Sequence, residues 1–198
     1  MKRIAHIRAV LLSELDFVSK LKYVRYRLPA LRRNRSLWMR RGRLIELRLN
    51  SGRRCVVRAA TTDILVVQEL FIQRLYFDAV RALGPALSRA SVRRVLDLGA
   101  NVGLAAACFR ELFPQALICC VEPEQENFEV LKINAELLGN VSTVQGFVGG
   151  EPGTGYVRKP DTGGEWGFFL SREAGLGSCQ TARVWTVSEL LREPAGMV

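Results

Sequence analysis

Apolar and polar positions divide the chain into a basic helix, a hairpin with buried helices, and a strand–helix–strand unit. Ile4, Ile7, Leu11, Leu15, Val18 and Leu21 recur at three- and four-residue intervals, flanked by Lys2, Arg3, Arg8, Lys20, Lys22 and Arg25. That spacing predicts an amphipathic helix over residues 4–24, ended by Pro29, with a basic loop carrying Trp38 and Met39 after it. Residues 44–49 alternate, Asn50-Ser51-Gly52 supplies a turn, and Cys55-Val56-Val57 returns, which predicts a β-hairpin. Thr61-Thr62-Asp63 reads as a helix N-cap. The run over residues 64–83 is too rich in apolar residues for a surface helix, so one or two buried helices are expected before Gly84-Pro85.

The centre of the chain is residues 93–123. An apolar strand over 95–98 runs into a glycine turn over 99–103, and a helix is expected over 102–113, stopped by Pro114. A second apolar strand over 116–121 ends on Glu122. A helix over 124–138, ended by Gly139, and a third strand over 141–147 follow. Residues 149–183 are glycine-rich and are expected as a long hairpin or loop excursion around Tyr156, Trp166 and Phe168-Phe169. A short strand over 184–186 and a helix over 187–192 complete the pattern. The fold class is α/β: a partial parallel sheet with flanking helices, preceded by a basic helical segment and a β-hairpin. Three parts are expected: 1–43, 44–92 and 93–198.

Charge sharpens this division. Residues 1–43 hold 13 Lys or Arg against only Glu14 and Asp16, whereas residues 44–198 hold 16 basic and 17 acidic side chains. The basic pI of about 10.0 therefore belongs to the first segment. Three readings of that segment stay open: a solvated helix packing its apolar stripe on the main domain, a surface for anionic membrane, and a nucleic-acid contact. No helix-turn-helix, zinc finger or aromatic RNA-binding signature supports the last, so no specific nucleic acid is expected. Membrane contact would make residues 1–43 a peripheral, non-catalytic binding module. Cys55, Cys108, Cys119, Cys120 and Cys179 form an odd set without C-x-x-C, so reduced core residues of a cytoplasmic protein are expected. No run approaches about 18 apolar residues, and Glu14 and Asp16 interrupt the N-terminal stretch, so neither a membrane span nor a signal peptide is expected. His6 is the only histidine, which argues against histidine catalysis and against a metal site.

The turn D-L-G-A-N-V-G suggests a ligand site. Gly99 lets the backbone turn close to a ligand, and Gly103 removes a side chain where the helix start must meet the strand or the ligand. Asp97 and Glu122 end adjacent strands, where ligands of open α/β sheets bind. A nicotinamide dinucleotide wants G-x-G-x-x-G to approach a pyrophosphate, but Asn101 stands at the second glycine. A carboxylate at Asp97 suits an ammonium better than a pyrophosphate. S-adenosylmethionine, which has an ammonium, a sulfonium and no phosphate, is therefore favoured over the dinucleotide and over an empty turn.

"VLDLGANVG" followed by "VEPEQENFEVLKIN" resembles the FkbM family of S-adenosylmethionine-dependent methyltransferases. D-x-G-A-N-x-G occupies residues 97–103, and E-P-x-x-x-N-x-x-x-L-x-x-N occupies residues 122–134. "RAATTDILV", at 58–66, is similar to the family's R-x-x-T-S-D segment, and "VWTVSELL", at 184–191, extends the likeness weakly. Residues 1–43 lie outside it. The resemblance implies a Rossmann-like class I methyltransferase fold and O-methylation of a hydroxyl on a sugar, polyketide or similar small molecule. It implies that Asp97, Gly99, Ala100, Asn101 and Gly103 hold the methionine end of the cofactor, that Glu122 binds the ribose, that Pro123 shapes the adenine side, and that Gln145, Gly146 and Phe147 contact adenine. It names no base: Asp161 and Glu165, beside Trp166, read as exposed acids rather than catalytic ones. The family's K-x-D-x-E-G strand would follow Val198, so the resemblance implies a sheet incomplete at its C-terminal end, with the Asp97 strand at its edge and activity in doubt.

Overall fold

The computed structural model describes residues 2–31, 42–84, 91–158, 169–171 and 180–192. The amphipathic pattern at the amino end forms two helices, α1 (Lys2–Leu11) and α2 (Phe17–Leu31), rather than the single helix expected. The break lies in long-range backbone pairing. Leu15 bridges Leu49, the Asp16 N–H donates to the Arg48 carbonyl at 2.9 Å, and the Asn50 N–H donates to the Glu14 carbonyl at 2.8 Å. Backbone groups used this way cannot also close helical turns. Asp16 then caps α2, its Oδ1 accepting from the Ser19 N–H at 2.7 Å. Pro29 does not stop α2, which runs two residues further.

Strands β1 (Leu44–Arg48) and β2 (Arg54–Arg58) form the antiparallel hairpin. The apolar run after it becomes α3 (Asp63–Val67), a π-helical turn (Gln68–Ile72) and α4 (Leu75–Ala82). Thr62 makes no side-chain cap to α3; the Thr61 hydroxyl accepts from the Asp63 N–H instead, at 3.2 Å. Asp63 has a different partner, described below.

β3 (Arg94–Leu98), α5 (Leu104–Leu112), β4 (Leu117–Glu122), α6 (Gln125–Leu138) and β5 (Val141–Gln145) follow in sequence. The three strands make a parallel sheet in the order β3-β4-β5, with helices flanking it. Among the described residues β3 is an edge. α5 starts later than the pattern suggested because Asn101 and Gly103 adopt left-handed backbone, φ +50° and +84°. The third strand does not continue to residue 147. Gly146 breaks it at φ +152°, in a space where an added Cβ would meet the Arg183 carbonyl oxygen at 2.5 Å.

Beyond that break the chain builds a second sheet where a hairpin or loop excursion was expected. Its strands are β6 (Phe147–Val148), β7 (Gly153–Arg158), β8 (Phe169–Ser171) and β9 (Thr181–Trp185), in the order β6-β9-β7-β8. Trp166 and Phe168 lie outside the described residues. α7 (Val187–Arg192) is the last element.

One apolar core runs from Val10, Leu15 and Tyr23 through the hairpin and α3 to α5 and α6. It includes Cys55, Cys108 and Cys120; burial, followed by the charge of Glu46, pushes the Cys55 thiol up to about 12. Cys179 is outside the described residues. No helix among the described residues is long and apolar enough to cross a membrane.

Candidate functional site

The glycine turn is strapped to the end of β4. The N–H groups of Gly99 and Ala100 both donate to the Val121 carbonyl at 2.9 Å, and the Asn101 N–H donates to Glu122 Oε2 at 2.8 Å. Gly103 packs against α6: an added Cβ would lie 2.7 Å from Leu131 Cδ1. Leu131 is fully buried, so it cannot swing aside freely. Gly103→Ala adds a side chain at positive φ and crowds that contact. It is expected to destabilise the protein by about 2 kcal/mol, read as a lower urea midpoint.

Glu122 is 4 % exposed. Its Oε1 accepts from the Glu124 N–H at 3.1 Å and from Asn127 Nδ2 at 3.2 Å, in addition to the Asn101 bond on Oε2. An ionised carboxylate offers about four acceptor positions, so three protein donors leave about one, on Oε2, for a ligand hydroxyl. Burial pushes the Glu122 carboxyl above its ordinary range, and these three bonds pull it back.

Asn127 connects this carboxylate to the hairpin. Its Oδ1 accepts from Arg58 Nη2 at 2.8 Å, and Arg58 makes a two-pronged pair with Asp63 at 2.9 and 3.0 Å. All three side chains are buried. Seven residues on, Asn134 has no exposed surface. Its Oδ1 accepts from the Val56 N–H at 2.6 Å, and its Nδ2 donates to the carbonyls of Val56 and Val102 at 2.9 and 2.6 Å. One face of α6 therefore ties the hairpin, the glycine turn and Glu122 together through Asn127, Leu131 and Asn134.

A cavity of about 450 Å³ opens at the carboxyl ends of β3 and β4, within the range of small-molecule sites. Its described lining is Leu98, Gly99, Asn101, Val121, Glu122, Pro123, Asn127, Gly146, Phe147 and Val148, none of them cationic. Six of the ten residues singled out from the sequence are there: Gly99, Asn101, Glu122, Pro123, Gly146 and Phe147. Four are not. Ala100 is buried in the core, and Gly103 packs on Leu131. The Gln145 side chain turns to Gln125, donating to its Oε1 at 2.7 Å. Asp97 lies opposite Cys120 in the sheet register, and its Oδ2 is 4.0 Å from the Cys120 Sγ, whereas Leu98, next along the strand, lines the cavity. Burial, reinforced by the charge of Glu122, raises the Asp97 carboxyl from 3.8 to about 6.

Sequence reasoning passed over Leu98, Val121 and Val148, which look like ordinary strand residues. It passed over Asn127 as a site residue although the motif contained it. Gln180 also went unnoticed: its Nε2 donates to the Pro123 carbonyl at 2.8 Å, fastening the second sheet beside the cavity. Asp161 and Glu165 lie outside the described residues. His6 is on α1 against Tyr23, with ring centroids 6.1 Å apart, and does not line the cavity. No protein-family model, no curated protein and no solved structure matches the chain.

Proposed function

We propose that the chain is an S-adenosylmethionine-binding protein of the FkbM type, with a class I methyltransferase arrangement around the parallel sheet and a small-molecule hydroxyl as methyl acceptor. One observation carries the proposal: the cavity lies between a glycine turn and a buried carboxylate at the ends of adjacent parallel strands, with no cation in its described lining. A pyrophosphate would meet no cation among the described lining residues and would face Glu122. Two carboxyls raised by burial suit a ligand that brings positive charge.

S-adenosylmethionine, when bound, supplies an electrophilic methyl group on its sulfonium. The chain's residues bind and orient. Glu122 Oε2 offers an acceptor to a ribose hydroxyl, Phe147 and Val148 offer apolar surface to the adenine, and the turn at 99–101 lets the backbone approach. Asp97 acts through its field rather than as a lining group. Of the described lining residues only Glu122 titrates, and its three hydrogen bonds commit it to holding the turn.

Calorimetric titration with S-adenosylmethionine tests the reading. Saturable binding is expected, weakened about tenfold to a hundredfold in Glu122→Ala, the worth of one charge-assisted hydrogen bond. Absence of binding by the unaltered chain would overturn the proposal. Saturable NADH binding in its place would substitute the dinucleotide reading.

A further inference from the structure

The helical hairpin at the amino end has two unlike sides. Its α1 and α2 lie antiparallel, as the His6–Tyr23 ring contact and the bond from Lys20 Nζ to the Leu11 carbonyl at 2.9 Å require. The inner side is fixed to the body. Val10, Leu15 and Tyr23 enter the core, Lys22 Nζ donates to the Glu46 carbonyl at 2.7 Å, and Arg27 Nε donates to Gln68 Oε1 at 2.8 Å. The outer side carries Ile7, Leu11, Leu12, Phe17, Val18 and Leu21, each between 55 % and 72 % exposed. Ile7 and Leu11 are one turn apart on α1, and Phe17 and Leu21 one turn apart on α2. Six large apolar side chains concentrated on one small element exceed the scattered exposure of an ordinary surface.

Charge identifies what covers them. Glu14 and Asp16 are the only acids in residues 1–43, and both are engaged, Glu14 with Arg74 and Asp16 with the start of α2. Arg8 and Arg25 are exposed on the two helices. A second copy of the chain would bring the same surplus of positive charge against this face. A nucleic acid would neutralise the charge but offer no apolar layer to the six side chains. An anionic bilayer supplies both.

We propose that this hairpin docks on an anionic membrane surface, with Phe17 and Leu21 entering the acyl boundary and Arg8 and Arg25 meeting lipid headgroups. The hairpin is anchored to the hairpin strands and to the π-helical turn, so docking would hold the whole body at the surface.

Co-sedimentation of the full chain with vesicles of phosphatidylcholine, and of phosphatidylcholine with phosphatidylglycerol, tests this. Strong pelleting is expected only with the anionic vesicles, falling as salt is raised. The double variant Phe17→Ser/Leu21→Ser alters two exposed side chains, so its thermal melt should be unchanged. Its vesicle affinity should fall about a hundredfold, tenfold for each side chain. Failure of the unaltered chain to pellet with anionic vesicles, or equal pelleting of the variant, would overturn the proposal. So would a concentration-dependent dimer lost in the variant while vesicles pellet neither protein. None of these outcomes depends on cofactor binding, which is read separately by calorimetry.

Discussion

Arg58→Met is expected to destabilise the protein by about 3–5 kcal/mol, the cost of leaving one member of a buried ion pair uncompensated. Arg58 and Asp63 are 7 % and 1 % exposed, and the guanidinium reaches Asp63 through both Nε and Nη2. Methionine fills much of the volume but supplies neither the charge nor the donors, so the Asp63 carboxylate remains buried with the Arg58 backbone N–H as its remaining partner among these bonds. A urea melt should show the midpoint falling without a matching change in slope. The double variant Arg58→Met/Asp63→Asn should recover more than half of the loss, because the amide removes the buried charge yet keeps an acceptor for that N–H. Little recovery would mean that the arginine acts through packing rather than charge. The same substitution also removes the Arg58 bond to Asn127 Oδ1, and Asn127 is one of the three donors to Glu122. If the cavity takes S-adenosylmethionine as proposed, affinity for it should therefore drop in the folded single variant, although Arg58 is not among the described lining residues.

Asp97→Asn is expected to move stability the other way, raising it by about 1–3 kcal/mol at neutral pH. The carboxyl titrates near 6 in the folded protein against an ordinary 3.8, through burial first and Glu122 second. Between those values the native state holds more proton than the unfolded chain, so stability falls as pH rises through that window, and the full cost stands above it. That difference corresponds to about 3 kcal/mol as an upper bound, reduced because an amide also needs hydrogen bonds. Thermal melts at pH 4 and pH 7.5 should show the two proteins close at the lower pH and the variant more stable at the higher one. A variant that is less stable at pH 7.5 would mean that the ionised carboxylate is held by a favourable interaction. If Asp97 contributes negative field to a cationic ligand, the stabilised variant should also bind S-adenosylmethionine more weakly. Stability gained together with binding lost separates a functional carboxylate from a structural one.

The parallel strands and the glycine turn were legible because their signals are local. A short apolar run ending in an acid, then glycines at two positions, fixes strand, turn and helix start within a few residues. The location of Glu122 at the carboxyl end of its strand, where it lines the cavity, followed from counting along β4. The same locality explains the errors. Residues 12–16 carry helical spacing, but Leu15 is claimed by Leu49, a partner that no local pattern reveals. Asn127 and Asn134 were visible as motif positions, yet their partners Arg58 and Val56 stand 69 and 78 residues away. Asp97 and Leu98 alternate as strand residues must, but only the placement of α5 and the second sheet decides which face of the strand holds the cavity.

The sequence by itself determined the α/β order, the charge concentrated in residues 1–43, and the pairing of a glycine turn with an acid at the end of the next strand. Those features rest on periodicity, composition and chain direction, which are properties of neighbouring residues. Tertiary structure decided that residues 2–31 form a helical hairpin anchored to the core, with Ile7, Leu11, Leu12, Phe17, Val18 and Leu21 left exposed. It also decided that Asn127, Leu131 and Asn134 brace the turn and Glu122, and that of the three only Asn127 also lines the cavity. Each of those outcomes depends on which buried polar group satisfies another, or which surface stays uncovered, and both are settled only when distant parts of the chain meet.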